Sequence, residues 1–277
     1  MRFIEVHLAG GLGNQLFQYA TARALMKKSD FLFFNINSYK EDYVGRSFKL
    51  FNYNIKGSII SNKWMQKIFA PNTKFNKIIE YLGLYSLITE KDFFIHYDLV
   101  NKTKFITSTI GFWQSENYFK SIRDELLNEI NLNYKIVLPE IFNLPNTVAV
   151  HIRRNDYLTD PRYGFIGELY YRNAIYLLRQ KLETPLFIIF SDDLVWCRSI
   201  FSDEKFHFFD DAIWTEDYQQ LYLMSKCSHQ IIANSSFSWW SAWLNQYSNK
   251  IIIRPAKPFN DPDLLYENYY PFDWIAL

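Results

Sequence analysis

Two adjacent arginines, Arg153 and Arg154, carry the strongest chemical signal in the chain. A guanidinium keeps its charge and offers a fixed fork of N–H donors, so two in succession suit a pyrophosphate. They follow the apolar run Val148-Ala149-Val150-His151-Ile152 and precede Asp156 and Tyr157. The competing role is a pair of surface arginines neutralised by neighbouring acids. Their place at the end of a core-like strand favours a site, because open α/β sheets bind ligands beyond the carboxyl ends of their strands. Asp192-Asp193 and Asn234-Ser235-Ser236 each end another apolar run. The two serines, with the N–H groups at the start of a following helix, supply neutral donors to phosphate. Asp192 can accept from an amino and imino edge such as guanine presents. The same aspartates and serines serve equally well as helix caps.

A second cluster lies near the start of the chain. Gly10-Gly11-Leu12-Gly13-Asn14-Gln15 separates an apolar run from a helical pattern. Strand, glycine loop and helix together form an anion-accepting turn, since a helix N-terminus presents unpaired N–H groups and a positive dipole end. A nicotinamide-dinucleotide site fits badly. Leu16 stands where the third glycine of that fingerprint belongs, and the next strand ends in Asn35-Ile36-Asn37 rather than in an acid for the ribose. Asn14 and Gln15 place two amides at the helix start, to meet sugar hydroxyls or a phosphate, or to cap the helix. Trp113 is shaped to stack on a sugar ring, although a lone aromatic is more often core or cleft lining.

The elements that must position these groups follow from periodicity. In the first half, Phe3 to Leu8 reads as a strand, Leu16 to about Lys28 as a helix, and Phe31 to Ile36 as a strand. Asn62 to Phe69 and Phe75 to Leu87 have mixed helical patterning, with Pro71 as a break. Phe105 to Phe112 alternates as a strand, and Tyr118 to Glu129 reads as a helix. The proline-punctuated stretch Asn131 to Pro145 reads as a linker. It divides the chain into a first domain, 1–145, and a second, 146–277, whose last segment is able to pack back on the first.

The second half alternates regularly. Strands at Leu186–Phe190, Phe206–Phe209, Gln230–Ala233 and Ile251–Ile253 are interleaved with helices at Glu168–Lys181, Tyr218–Lys226 and Phe237–Asn245. Such alternation predicts a parallel, doubly wound α/β sheet.

Composition narrows the class. Hydrophobic residues make up 49% and aromatics 19% of 277 residues, which supports a sizeable core and excludes global disorder. A net charge of +1 gives no broad electrostatic case for nucleic acid. Cys197 and Cys227 are far apart and read as reduced thiols. No apolar stretch is long enough to span a bilayer or to resemble a signal peptide, so a cytoplasmic enzyme is the expectation. The many aromatics leave room for weak peripheral contact with the inner face of a membrane. The lone Asp-x-Asp string, Asp261-Pro262-Asp263, falls in a proline-containing loop, and no metal site is expected there.

Five motifs occur together in one order: Gly10 to Gln15; Gly111-Phe112-Trp113-Gln114-Ser115-Glu116; His151 to Tyr157; Phe190 to Asp193 with Trp196-Cys197; and Asn234 to Trp240. The ordered set resembles the α-1,2-fucosyltransferases of glycosyltransferase family 11, from residue 10 to about 245. The resemblance implies a GT-B fold, two Rossmann-like domains facing each other across a cleft. It implies transfer from GDP-β-L-fucose to the 2-hydroxyl of a galactose-terminated glycan, with inversion and with no metal or cofactor. By matching positions, it places Arg153 and Arg154 on the donor pyrophosphate, with His151 and Asp156 framing that pocket. Asp192 becomes the guanine-side acid, and Asn234, Ser235 and Ser236 approach phosphate. Gly13 and Asn14 fall on the donor side, and Asn14, Gln15 and Trp113 on the acceptor side. His151, Asp156, Asp160 and Glu168 are all candidates for the general base. The bacterial relatives imply a cytoplasmic enzyme that decorates surface-polysaccharide precursors, its acceptor chosen by residues 39–104. A fucosyltransferase of another linkage and a non-catalytic glycan-binding module remain as alternatives.

Overall fold

Apolar runs flanked by helical patterning build two separate parallel sheets. The computed structural model describes residues 1–40, 46–60, 63–69, 74–90, 98–203, 205–210, 212–261 and 266–277. The chain divides into one compact unit of Met1–Asn133 with Leu265–Tyr269, and another of Tyr134–Leu264 with Tyr270–Leu277. Each is Rossmann-like, a parallel sheet with helices, in keeping with the α/β class expected of a GT-B chain.

In the first unit the strands are β1 (Phe3–His7), β2 (Phe31–Asn35), β3 (Ser58–Ile59), β4 (Tyr85–Thr89) and β5 (Ile106–Ile110). Their spatial order is β3-β2-β1-β5-β4, all parallel. The helices are α1 (Leu12–Ala24), α2 (Lys63–Phe69), α3 (Lys74–Tyr81) and α4 (Arg123–Glu129). The helical reading of Phe75 to Leu87 is corrected at its second half. Gly83 turns the chain at φ +71°, and Leu84 N–H reaches back to Ile79 O at 2.9 Å. That bond and a left-handed glycine close α3, and β4 follows at once. Asn62 and Pro71 lie outside the described residues.

The second unit contains β6 (Thr147–Ile152), α5 (Glu168–Lys181), β7 (Leu186–Ser191), α6 (Leu194–Ile200), β8 (Phe206–Phe208), α7 (Asp217–Lys226), β9 (His229–Ile231), α8 (Ser236–Trp243), β10 (Ile252–Arg254) and β11 (Ile275–Ala276). The strand order is β11-β10-β9-β6-β7-β8. Numbered within this unit, that is the order of a dinucleotide-binding sheet, with the reversal between β6 and β9. Both faces of β6 are buried: Val148, Val150 and Ile152 join one core cluster, while Ala149 joins the other with Ile188 and Phe190. The stretch expected as a linker contributes Phe142 to this second core, where its ring lies 5.8 Å from Phe209. The division therefore falls at Asn133–Tyr134, ahead of residue 145. The short α6 and the two-residue β11 had no distinct sequence signal. Among the described residues, no helix is long and apolar enough to cross a membrane.

Candidate functional site

In the second unit the strand order reverses between β6 and β9, and sheets of this kind take their ligands beyond the carboxyl ends of the strands at such a reversal. Residues 153–158 leave β6 on one side, and residues 232–235 leave β9 on the other. Tyr157 O–H donates to Asn234 O at 3.4 Å and joins the two loops. Ser235 caps α8, its hydroxyl accepting from Phe237 N–H at 3.3 Å. The half-buried Ser236 opens that helix.

The two arginines have different surroundings. Arg153 donates from Nε and Nη2 to the Asp156 carboxylate at 2.8 and 2.7 Å, and its Nη1 lies 3.3 Å from Asp192 Oδ2. Its guanidinium sits 5.9 Å from the centre of the Tyr157 ring, and 30% of the side chain is exposed. Burial works against its charge, but Asp156 and Asp192 outweigh that and hold the guanidinium still more firmly protonated. Arg154 pairs with Asp193 at 2.5 Å and packs over Trp196 at 4.9 Å and Phe165 at 5.8 Å. Asp193 also caps α6 by accepting from Trp196 N–H at 3.0 Å. Arg154 is thus tied to α6, whereas Arg153 lies over the Tyr157 ring.

Both arginines have acids beside them, as the competing role foresaw. Three carboxylates, Asp156, Asp192 and Asp193, surround two guanidiniums. A bound diphosphate must therefore exchange with part of this network. Asp192 organises the loop: its Oδ1 accepts from Arg154 N–H at 2.9 Å, and its backbone carbonyl accepts from Asn155 Nδ2 at 2.8 Å. A base edge would share a carboxylate already engaged on both oxygens.

Asn234 is buried, and its Nδ2 donates to Tyr163 O at 3.1 Å, Gly164 O at 3.2 Å and Pro258 O at 2.9 Å. Its donors are committed to holding loops, so it pins the chain where residues 232–235 leave β9. The acids proposed as bases are paired: Asp156 with Arg153, Asp160 with Arg162 at 3.0 Å, and Glu168 with Arg172. Of these, Asp160 is held below the usual carboxylate range by its hydrogen bond from Arg162, which makes it a weak proton acceptor.

His151 is also a poor base. It is buried, its ring lies 5.4 Å from Phe237, and its Nδ1 has no hydrogen-bond partner among the described residues. Burial first, and the Arg153 charge second, depress its pKa to about 3. The imidazole is therefore neutral in the folded protein at neutral pH. The unfolded chain, with an ordinary value near 6.5, binds the extra proton as pH falls below that point. Stability associated with His151 is thus full above about 6.5 and declines as pH falls towards 3. We expect urea midpoints of the wild type to fall between about pH 7.5 and 5, and His151→Gln to remove part of that decline. An undiminished pH slope in the variant would show that His151 does not contribute.

In the first unit, Asn14 is half-buried at the start of α1 and accepts from Gln114 Nε2 at 2.7 Å. Gly13 is buried in the first turn. Gln15 is fully buried: its Nε2 donates to Ser47 O at 2.8 Å, and its Oε1 accepts from Lys49 N–H at 2.9 Å. Trp113 is buried edge-on to Tyr118, with its backbone at φ +56°. Gln15 and Trp113 therefore hold the interior of this unit. Among the described residues, no three His, Cys, Asp or Glu side chains gather as a metal set. Pro262 and Asp263 of the Asp-x-Asp string lie outside the described residues.

Sequence reasoning missed the platform under Arg153. Tyr157 and Tyr163 stack at 5.5 Å, and Tyr163 meets Phe259 edge-on at 5.6 Å. The signal available was Tyr157 itself, four residues after Arg153 in a short turn, Asp156–Leu158.

Comparison with known proteins adds an independent line. The model of the family described as "Glycosyl transferase family 11" matches residues 2–277. An alpha-1,2-colitosyltransferase of Escherichia coli is 33% identical over 100% of this chain and 99% of its own length. The O-antigen biosynthesis glycosyltransferase WbnK of Escherichia coli is 30% identical, covering 91% of this chain and 93% of its own. A galactoside alpha-(1,2)-fucosyltransferase 1 of Alouatta belzebul is 28% identical over 48% of this chain and 42% of its own.

Proposed function

Because the chain belongs to glycosyl transferase family 11, we propose that it moves L-fucose from GDP-β-L-fucose to the 2-hydroxyl of a terminal galactoside, giving an α-1,2 linkage with inversion. The glycosyltransferase class itself follows from family membership; the donor sugar and the acceptor are the proposal. The observation that carries it is Arg153, held at the strand-order reversal of a sheet with dinucleotide-binding topology. There a guanidinium and the N-terminus of α8 stabilise the charge that gathers on a departing diphosphate. No metal or cofactor enters this reading, because the cationic groups supply the charge. The relative named for O-antigen biosynthesis supports a surface-polysaccharide precursor as the acceptor.

A second reading is favoured by the full-length likeness to a colitosyltransferase. Colitose is L-fucose without its 3-hydroxyl, so a site differing in one hydrogen-bonding group would separate the two donors. The test offers both GDP-sugars with a panel of terminal galactosides, follows GDP release, and determines the product linkage. Galactoside-dependent release from GDP-fucose with an α-1,2 product is expected. Turnover of GDP-colitose alone would establish the second reading. Glycan binding without GDP release from either donor would exclude both and favour a binding module.

A further inference from the structure

In a parallel sheet all strands run the same way, so the segments that enter them share one rim. In the first unit these are Met1–Arg2 before β1, residues 25–30 before β2, 82–84 before β4 and 98–105 before β5. Backbone bonds lace them together: Phe31 N–H to Arg2 O at 2.9 Å, Phe3 N–H to Phe105 O at 2.8 Å, and Ile106 N–H to Leu84 O at 2.9 Å. An apolar row runs along this rim. Phe3 stacks on Phe31 at 5.8 Å and meets Phe105 edge-on at 5.4 Å. Phe31 and Phe105 are exposed, and the row continues through exposed Leu84 to Leu82 and Tyr81 at the end of α3, 61% and 91% exposed. Lysines border it. Lys27 and Lys28 precede Phe31, Lys102 and Lys104 precede Phe105, and Lys77 lies one helical turn before Tyr81; all five are exposed. The acids beside them among the described residues are Asp30, buried and bonded to Arg2, and the exposed Glu80 and Asp98.

We propose that this rim is a membrane-docking surface, seated on the interface of a bilayer that carries anionic headgroups. A contiguous exposed apolar row bordered by charge marks a contact surface rather than scattered surface apolarity. Its aromatic and leucine side chains enter the boundary between headgroups and acyl chains. The lysine stems lie along that boundary while their ammonium groups meet lipid phosphates. Charge decides against a second copy of the chain as the occupant. A two-fold contact would set the rim against itself, lysines facing lysines. The Gly10–Gln15 and Gly111–Gln114 loops leave the carboxyl ends of β1 and β5, at the opposite rim, so docking does not cover them. The proposal does not depend on which sugar the chain transfers, because binding is read without turnover.

The test is co-sedimentation of the full chain with vesicles of phosphatidylcholine, or of phosphatidylcholine mixed equally with phosphatidylglycerol. Partition onto the mixed vesicles is expected to be at least about 10-fold stronger and to weaken in high salt. Lys27→Ala/Lys28→Ala/Lys104→Ala is expected to lower it about 10- to 100-fold. Tyr81→Ser/Leu82→Ser changes the two most exposed apolar positions of the row and is expected to lower it about 10-fold. Circular dichroism shows that each variant is folded. As a control, Lys181→Ala/Lys205→Ala/Lys257→Ala removes three exposed lysines of the second unit and is expected to bind as the wild type does. Equal sedimentation with both kinds of vesicle, none with either, or an equal loss in the control overturns the proposal. So does a concentration-dependent dimer in analytical ultracentrifugation that Tyr81→Ser/Leu82→Ser abolishes, which would make the rim a contact between copies.

Discussion

Arg153→Ala is expected to lower turnover about 100- to 1,000-fold in a protein that still folds, the loss of one preorganised donor to developing charge, worth roughly 2.7–4 kcal/mol. Arg153 rather than Arg154 is chosen because of what surrounds each. Arg154 lies over Trp196 and Phe165 and is tied to the acid that caps α6. Its removal would mix lost packing with lost charge. Arg153 lies on Tyr157 with 30% of its side chain exposed, and its fork is held by Asp156 and Asp192. Those acids keep it aimed before the donor arrives, and a diphosphate then takes over part of the fork. Arg153→Lys keeps the charge but not the bidentate geometry, so most of the loss should persist. The measurement is kcat and kcat/KM for GDP-sugar turnover, with circular dichroism to show that the fold is intact. Near-normal kcat in a folded Arg153→Ala would remove Arg153 from the reaction.

How far the residues announced this arrangement depends on the kind of information involved. β6 was readable because an uninterrupted apolar run buried on both faces has one interpretation once it ends in charge. The helix Glu168–Lys181 was readable to the residue because its apolar stripe is regular. β4 was hidden because its leucine and isoleucine continue the apolar spacing of α3, and only Gly83 marks the break. β11 spans two residues and exists through pairing with β10, which no local pattern encodes. Within the site, residue types were legible but their partners were not. Asn234 beside two serines looked like a phosphate ligand; which carbonyls its amide meets is set by Tyr163, Gly164 and Pro258, distant in sequence.

Asn234→Ala is expected to destabilise the second unit by about 2–4 kcal/mol, since each buried acceptor left without a donor costs roughly 1–3 kcal/mol. Two amide hydrogens serve three carbonyls, so the loss is below three full penalties. The consequence reaches the chemistry through contacts. Asn234 holds the Tyr163–Gly164 turn; Tyr163 stacks on Tyr157 at 5.5 Å; Tyr157 lies beneath Arg153. Loosening the pin should therefore lower kcat as well as the urea midpoint, even though Asn234 donates nothing to a ligand. Asn234→Asp is the sharper variant. It preserves shape but offers a carboxylate to three carbonyl oxygens, and it should be at least as damaging as alanine. A direct phosphate contact would predict the reverse order of effects: weaker donor binding with little change in stability. Urea unfolding and donor KM, measured together on both variants, decide between a pin and a ligand.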